Sequence, residues 1–115
     1  SGVIAVAAAR LGFAAVYAVD VDPVAVEVTL ETARRNGVAI EARVADAVSA
    51  RLPVADLVVA NIELPVVERL LARRTAGAAI TSGYLAHEAP SAPGWEPVAR
   101  LELDGWAADV LRAAP

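Results

Sequence analysis

The 115-residue chain has no cysteine, no methionine and a single histidine. Without cysteine there can be no disulfide and no thiolate-bound zinc, and one histidine leaves little for an imidazole site, so no metal is expected. Lysine is missing as well: all ten basic residues are arginine. With the abundance of alanine and valine, this reads as compositional bias and not as function. The net charge of −4 argues against broad phosphate-backbone binding, so no direct nucleic-acid contact is expected. No apolar run approaches the roughly 20 residues of a membrane helix. No membrane partner is therefore expected, and the expected location is the cytoplasm. What the chain has in excess is apolar surface. Hydrophobic residues make up 57% and charged ones only 21%, which fits one globular domain with a heavily buried interior.

The elements alternate. Residues 3–11 are small and apolar and close on Arg10 and Gly12, predicting a helix packed on a sheet. The runs "AAVYAV" (14–19) and "ADLVVAN" (55–61) predict strands buried on both faces. "DPVAVEVTLETARRNG" predicts a helix with Pro23 in its first turn, Val26, Leu30 and Ala33 on its inner face, and Asn36-Gly37 at its end. "AIEARV" (39–44) alternates, as an edge strand does. "LPVVERLLARR" (64–74) reads as helix and "GAAITS" (77–82) as a buried strand. "WEPVARLEL" and "WAADVLR" flank Asp104-Gly105, a tight-hairpin signal. Trp95 and Trp106 read as core anchors, and His87 as a solvated surface residue. Alternating strands and helices imply an α/β, doubly wound sheet with right-handed crossovers. Ligands in such sheets lie at the carboxyl ends of the strands.

That rule directs attention to Gly2, Asp20, Asp46, Asn61 and Ser82-Gly83. Gly2 stands at a helix entry, where backbone N–H groups favour an anion. Asp20 ends the second-strand position of such a sheet, where a carboxylate accepts both hydroxyls of a ribose; Asp22 is the better-placed cap for the helix at Pro23. Asp46 either accepts from an adenine amino group, with the Ala47 N–H donating to the ring, or is the N-cap of a helix over 47–51. Asn61, read alone, is a helix cap. Spacing up to Asp20 fits nicotinamide-dependent oxidoreductases and S-adenosylmethionine-dependent methyltransferases equally.

The later strings separate the two. "SGVIAVAA" (1–8), "AVDVDP" (18–23), "RNGV" (35–38), "VVANI" (58–62), "SGYLAHE" (82–88) and "DGWAADVLR" (104–112) run in order across nearly the whole chain. They resemble the PrmA-type methyltransferases, which modify a ribosomal stalk-base protein. The family pattern there is S-G-V-L-A-I-A, G-V-D-I-D-P, R-N-G-V, V-V-A-N-I and S-G-I-L. "VVANI" followed by "SGYL" is the most specific part.

The resemblance implies a class I methyltransferase domain: a Rossmann-like αβα sandwich, mostly parallel, with an antiparallel hairpin at its C-terminal end. It implies S-adenosyl-L-methionine as cofactor, a ribosomal protein as substrate and an amine as methyl acceptor. Ser1, Gly2, Asp20, Val21, Asp46, Ala47 and Asn61 become the cofactor-binding set, with Asn61 also the catalytic candidate on the acceptor side. Ser1-Gly2 would end a D-x-G-x-G-S-G loop. The chain is then expected to be a fragment, lacking the central first strand and a substrate-gripping domain, and inactive alone. The stretch between Ser82-Gly83 and Trp95 is expected to hold no more than one or two helical turns, where the family has a fuller helix. A methyltransferase acting on RNA or a small molecule, and a non-catalytic nucleoside-binding module, stay open as alternatives.

Overall fold

A computed structural model describes residues 1–115. The chain divides into two compact units, Ser1–Ala50 and Arg51–Pro115.

The first unit holds helix α1 (Val3–Arg10), strand β1 (Tyr17–Asp20), helix α2 (Pro23–Arg35) and strand β2 (Glu41–Val44). Strands β1 and β2 pair in parallel, with Asp20 opposite Val44. Helix α1 ends as the sequence implies, with Gly12 at φ 96° just past its cap Leu11. Pro23 opens α2, and the Asp22 side chain caps it by accepting from the Val24 N–H at 2.9 Å. Its inner face is Val26, Thr29 and Ala33; Leu30, expected there, is 39% exposed. Thr29 can be buried because its hydroxyl donates to the Ala25 carbonyl at 2.8 Å within the helix.

Strand β1 is shorter than the apolar run that suggested it. Ala15 sits at φ 57°, which breaks an extended backbone, and pairing begins at Tyr17. The expected burial on both faces is also absent: Tyr17 is 50% exposed, and Ala18 and Val19 are only half-buried. An apolar strand is buried by what packs on it, and composition alone cannot supply that.

The second unit holds strand β3 (Ala55–Asn61), helix α3 (Leu64–Ala72), and strands β4 (Ala76–Leu85), β5 (Trp95–Leu103) and β6 (Trp106–Ala113). The sheet order is β3-β4-β6-β5. β3 and β4 are parallel; β4–β6 and β5–β6 are antiparallel. β3 is an edge strand with only Ala60 fully buried, again short of the two-sided burial expected. Asp104 (φ 51°) and Gly105 (φ 82°) make the tight hairpin turn, both left-handed as a type I′ turn requires.

The core of this unit gathers Val67 and Leu71 of α3 with Ala79, Tyr84, Trp95, Ala107 and Leu111 of the sheet. Trp95 donates from Nε1 to the Leu71 carbonyl at 2.9 Å, a second bond at the end of α3 beside the one that carbonyl accepts from the Arg74 N–H at 3.1 Å. Trp106 is not an anchor: it is 55% exposed, because odd-numbered β6 residues face α3 and Trp106 points the other way. Between β4 and β5, residues 86–94 contain turns and no helix. His87 is exposed there, as expected.

Candidate functional site

In the first unit, parallel pairing puts the carboxyl ends of β1 and β2 side by side. Asp20 is the last residue of β1, and its carbonyl accepts from the Ala45 N–H at 2.9 Å, one residue past β2. Asp46 follows directly. The two carboxylates therefore emerge at the same end of the strand pair, and both are exposed. Each uses Oδ1 in a local turn: Asp20 accepts from Asp22 N–H and Asp46 from Val48 N–H, both at 2.9 Å. A carboxylate offers about four acceptor positions, so such a bond orients the group and leaves capacity for a ligand. The helix expected over 47–51 is a single turn, closed by Ser49 and Ala50 N–H groups on the Asp46 carbonyl. Val21, between the two acids of "DVD", is 66% exposed, and Ala47 is half-buried.

Ser1 and Gly2 lie against the middle of α2. The Ser1 carbonyl accepts from the Thr32 hydroxyl at 3.2 Å. Gly2 (φ 78°) is the N-cap of α1, and a Cβ on it would fall 2.8 Å from the Thr29 Cα. Thr29 lies about 9 Å of helical rise beyond Pro23, so Gly2 is set two turns along α2 from the end where Asp20 stands. A groove of about 460 Å³ lined by Glu27, Leu30, Ala33, Arg34, Val38, Ala39 and Ile40 involves none of the expected site residues.

In the second unit, Asn61 ends β3 opposite Ser82 of β4 and is exposed. It does not cap α3. That position belongs to Glu63, whose side chain makes no capping bond. The segment after Asn61 is held tightly instead: Ile62 N–H donates to the Ser82 carbonyl at 3.0 Å, and the Gly83 backbone abuts Ile62. Gly83 (φ 102°) is the extra residue of a bulge between Ser82 and Tyr84 in the β4–β6 pairing.

Beneath that bulge is a polar cluster the residue patterns did not single out. The Tyr84 hydroxyl, 2% exposed as a residue, donates to Asp109 Oδ2 at 2.7 Å and lies 2.8 Å from the Thr81 hydroxyl. Arg100 Nε sits 3.3 Å from the other Asp109 oxygen. Burial, and then the bond to Asp109, push the Tyr84 hydroxyl up to about 12. A signal for this was available. The two-residue turn sets the hairpin register, which places Arg100 directly opposite Asp109, and an acid inside "AADVL" is out of character for a core strand.

A family model described as "Ribosomal protein L11 methyltransferase (PrmA)" matches residues 1–111. Among curated relatives, a ribosomal protein L11 methyltransferase of Symbiobacterium thermophilum is 41% identical, covering 94% of this chain and 39% of the relative. Another from Bradyrhizobium diazoefficiens is 38% identical, covering 97% of this chain and 44% of the relative. The chain thus spans about two fifths of the length of these proteins. Among solved structures, a ribosomal protein L11 methylase from Lactobacillus delbrueckii subsp. bulgaricus superposes with a TM-score of 0.85 at 20% identity, over 99% of this chain and 65% of that one. The 16S rRNA methyltransferase RmtF, solved with S-adenosyl-L-homocysteine, gives 0.74 at 16% identity, over 98% of this chain and 53% of that one. These likenesses show the fold, the Rossmann-like α/β fold of class I methyltransferases.

Proposed function

The chain belongs to the ribosomal protein L11 methyltransferase (PrmA) family, and we propose that residues 1–115 form the S-adenosylmethionine-binding domain of an enzyme that N-methylates a ribosomal protein in the cytoplasm. The observation that carries this reading is the family match over residues 1–111. It takes in "VVANI" and "SGYL", beyond the part of the chain that fits nicotinamide enzymes equally well.

The donor set suits the cofactor. Two exposed carboxylates at the carboxyl end of a parallel strand pair are acceptors for a nucleoside, which presents ribose hydroxyls and an adenine amino group as donors. Asp20 takes the ribose role and Asp46 the adenine role, with Val21 and Ala47 beside them. Bound S-adenosylmethionine supplies an electrophilic sulfonium methyl. The residues of the chain align and desolvate; no strong general base is required of them. Asn61 and the backbone after it form the acceptor side. Their amide and carbonyl groups hold an amine in its neutral form, which desolvation already favours.

Isothermal calorimetry on the protein in its natural full length tests the reading. S-adenosylhomocysteine should bind and NAD should not. Tight NAD binding with no response to S-adenosylhomocysteine would overturn it.

A further inference from the structure

We propose that Tyr84, held by Asp109, is a positioning residue for the Asn61–Ile62 segment, and so for the acceptor side of the site; this rests on the methyltransferase reading above.

The link runs through four short steps inside one unit. Asp109 is 7% exposed and is fixed from its far side by Arg100, its hairpin partner. Arg100 also donates to the carbonyls of Ala86 and Glu88, so it ties the turn after β4 to the same point. Asp109 and Thr81 together hold the Tyr84 hydroxyl. Tyr84 is the first residue paired with β6 after the bulge, opposite Ala107, while Ser82 pairs with Ala108. Fixing Tyr84 therefore fixes where Gly83 protrudes. Gly83 protrudes onto Ile62: an added Cβ would stand 2.7 Å from the Ile62 nitrogen, and the Ile62 N–H is bonded to the Ser82 carbonyl. A shift of Tyr84 is thus passed to the residue that follows Asn61, with no side chain between to absorb it.

Two facts single out Tyr84 from an ordinary core residue. Its hydroxyl carries a hydrogen-bond network fully buried with Thr81, which is 0% exposed. An apolar side chain of similar size would fill the same core without desolvating a hydroxyl, a threonine and a carboxylate. The polar arrangement adds direction: the Asp109 carboxylate and the hydroxyl and carbonyl of Thr81 define the position of one oxygen. The string "SGYL" also departs here from the S-G-I-L of the resemblance, so a hydroxyl at this position is not implied by the family pattern.

The test uses Tyr84→Phe, which keeps the ring and removes the oxygen, and Asp109→Asn, which keeps an acceptor for it. Both are made in the protein at its natural length. Hydrogen exchange at the Ile62 amide reads the mechanical link by itself. Steady-state methylation of a ribosomal protein acceptor, with S-adenosylhomocysteine affinity measured in parallel, reads its consequence. In Tyr84→Phe the Ile62 amide should exchange about 10-fold faster and turnover of the acceptor should fall about 10-fold or more, the scale of a small misplacement at a reacting site. S-adenosylhomocysteine affinity should fall much less than turnover, because of the cofactor-binding set only Asn61 lies on the displaced segment and Asp20 and Asp46 are untouched. Asp109→Asn should retain most of both properties. If Tyr84→Phe lowers only the unfolding temperature, with Ile62 exchange and turnover as in wild type, Tyr84 is a core residue and the proposal fails. If the wild-type protein neither binds S-adenosylhomocysteine nor methylates, the methyltransferase reading fails, and the exchange result still decides the link from Tyr84 to Ile62.

Discussion

Gly83 lies so close to the Ile62 backbone that a Cβ would sit 2.7 Å from the Ile62 nitrogen. Gly83→Ala should therefore cost about 2–4 kcal/mol, adding a left-handed backbone penalty to a steric one against atoms that cannot rotate away. Gly37 is also left-handed, at φ 66°, but has nothing within 4 Å of its Cβ position. Gly37→Ala should cost only about 1 kcal/mol. Urea unfolding of the two variants gives the comparison. Equal losses would show that the approach to Ile62 is looser than described.

The two acids flanking Val21 have different tasks. Asp22→Ala removes the α2 cap and should cost about 1 kcal/mol of stability with little effect on ligand affinity. Asp20→Ala should weaken S-adenosylhomocysteine binding by about 1–3 kcal/mol and leave folding largely intact. Calorimetry and thermal melts on both variants separate the roles. An Asp20→Ala protein that melts early yet binds normally would make Asp20 structural.

Tyr84 makes stability fall in alkali. Its hydroxyl titrates at about 12 in the folded chain against 10.0 ordinarily, so the folded state holds the proton more tightly. The stabilisation is complete below pH 10 and is lost as pH rises toward 12, a change of about 2–3 kcal/mol. Tyr84→Phe should lose this part of the pH dependence. Denaturant midpoints measured across that range for both proteins check it; parallel curves would contradict the burial of the hydroxyl, the main cause of its raised value, and with it the bond to Asp109.

The tryptophans should separate optically. Trp95 is 9% exposed and Trp106 is 55% exposed. Trp95→Phe should cost about 1–3 kcal/mol, through the lost bond to the Leu71 carbonyl, which keeps the Arg74 N–H, and the cavity left behind. Trp106→Phe should change stability by no more than about 0.5 kcal/mol. Iodide should quench the fluorescence of the Trp95→Phe protein, in which Trp106 remains, far more than that of Trp106→Phe. The reverse order would mean the hairpin faces are assigned the wrong way round.

Local features of this protein were decided by sequence alone. Asp22-Pro23 starts a helix, Gly12 ends one and Asp104-Gly105 turns a hairpin because each acts through its own backbone angles or through a donor two residues away. The order of elements and the family strings are local in the same sense, and the acids at strand ends follow from that order. Burial and long-range pairing were decided only by the tertiary structure. The runs at 14–19 and 55–61 are apolar, yet a strand face is buried only by what packs on it, and of β1 and β3 only Ala60 is buried. Trp106 is as hydrophobic as Trp95, but strand alternation puts it on the opposite face of the sheet from the core. Asn61 had the chemistry of a cap, but it is the last paired residue of β3, and the N-cap of α3 is Glu63, two residues on. Tyr84 and Asp109 are 25 residues apart in the chain, and nothing near either in sequence calls for the other. What joins them is a bulge at Gly83 that shifts the β4–β6 register by one residue, and a one-residue shift reverses which side chains point into the core.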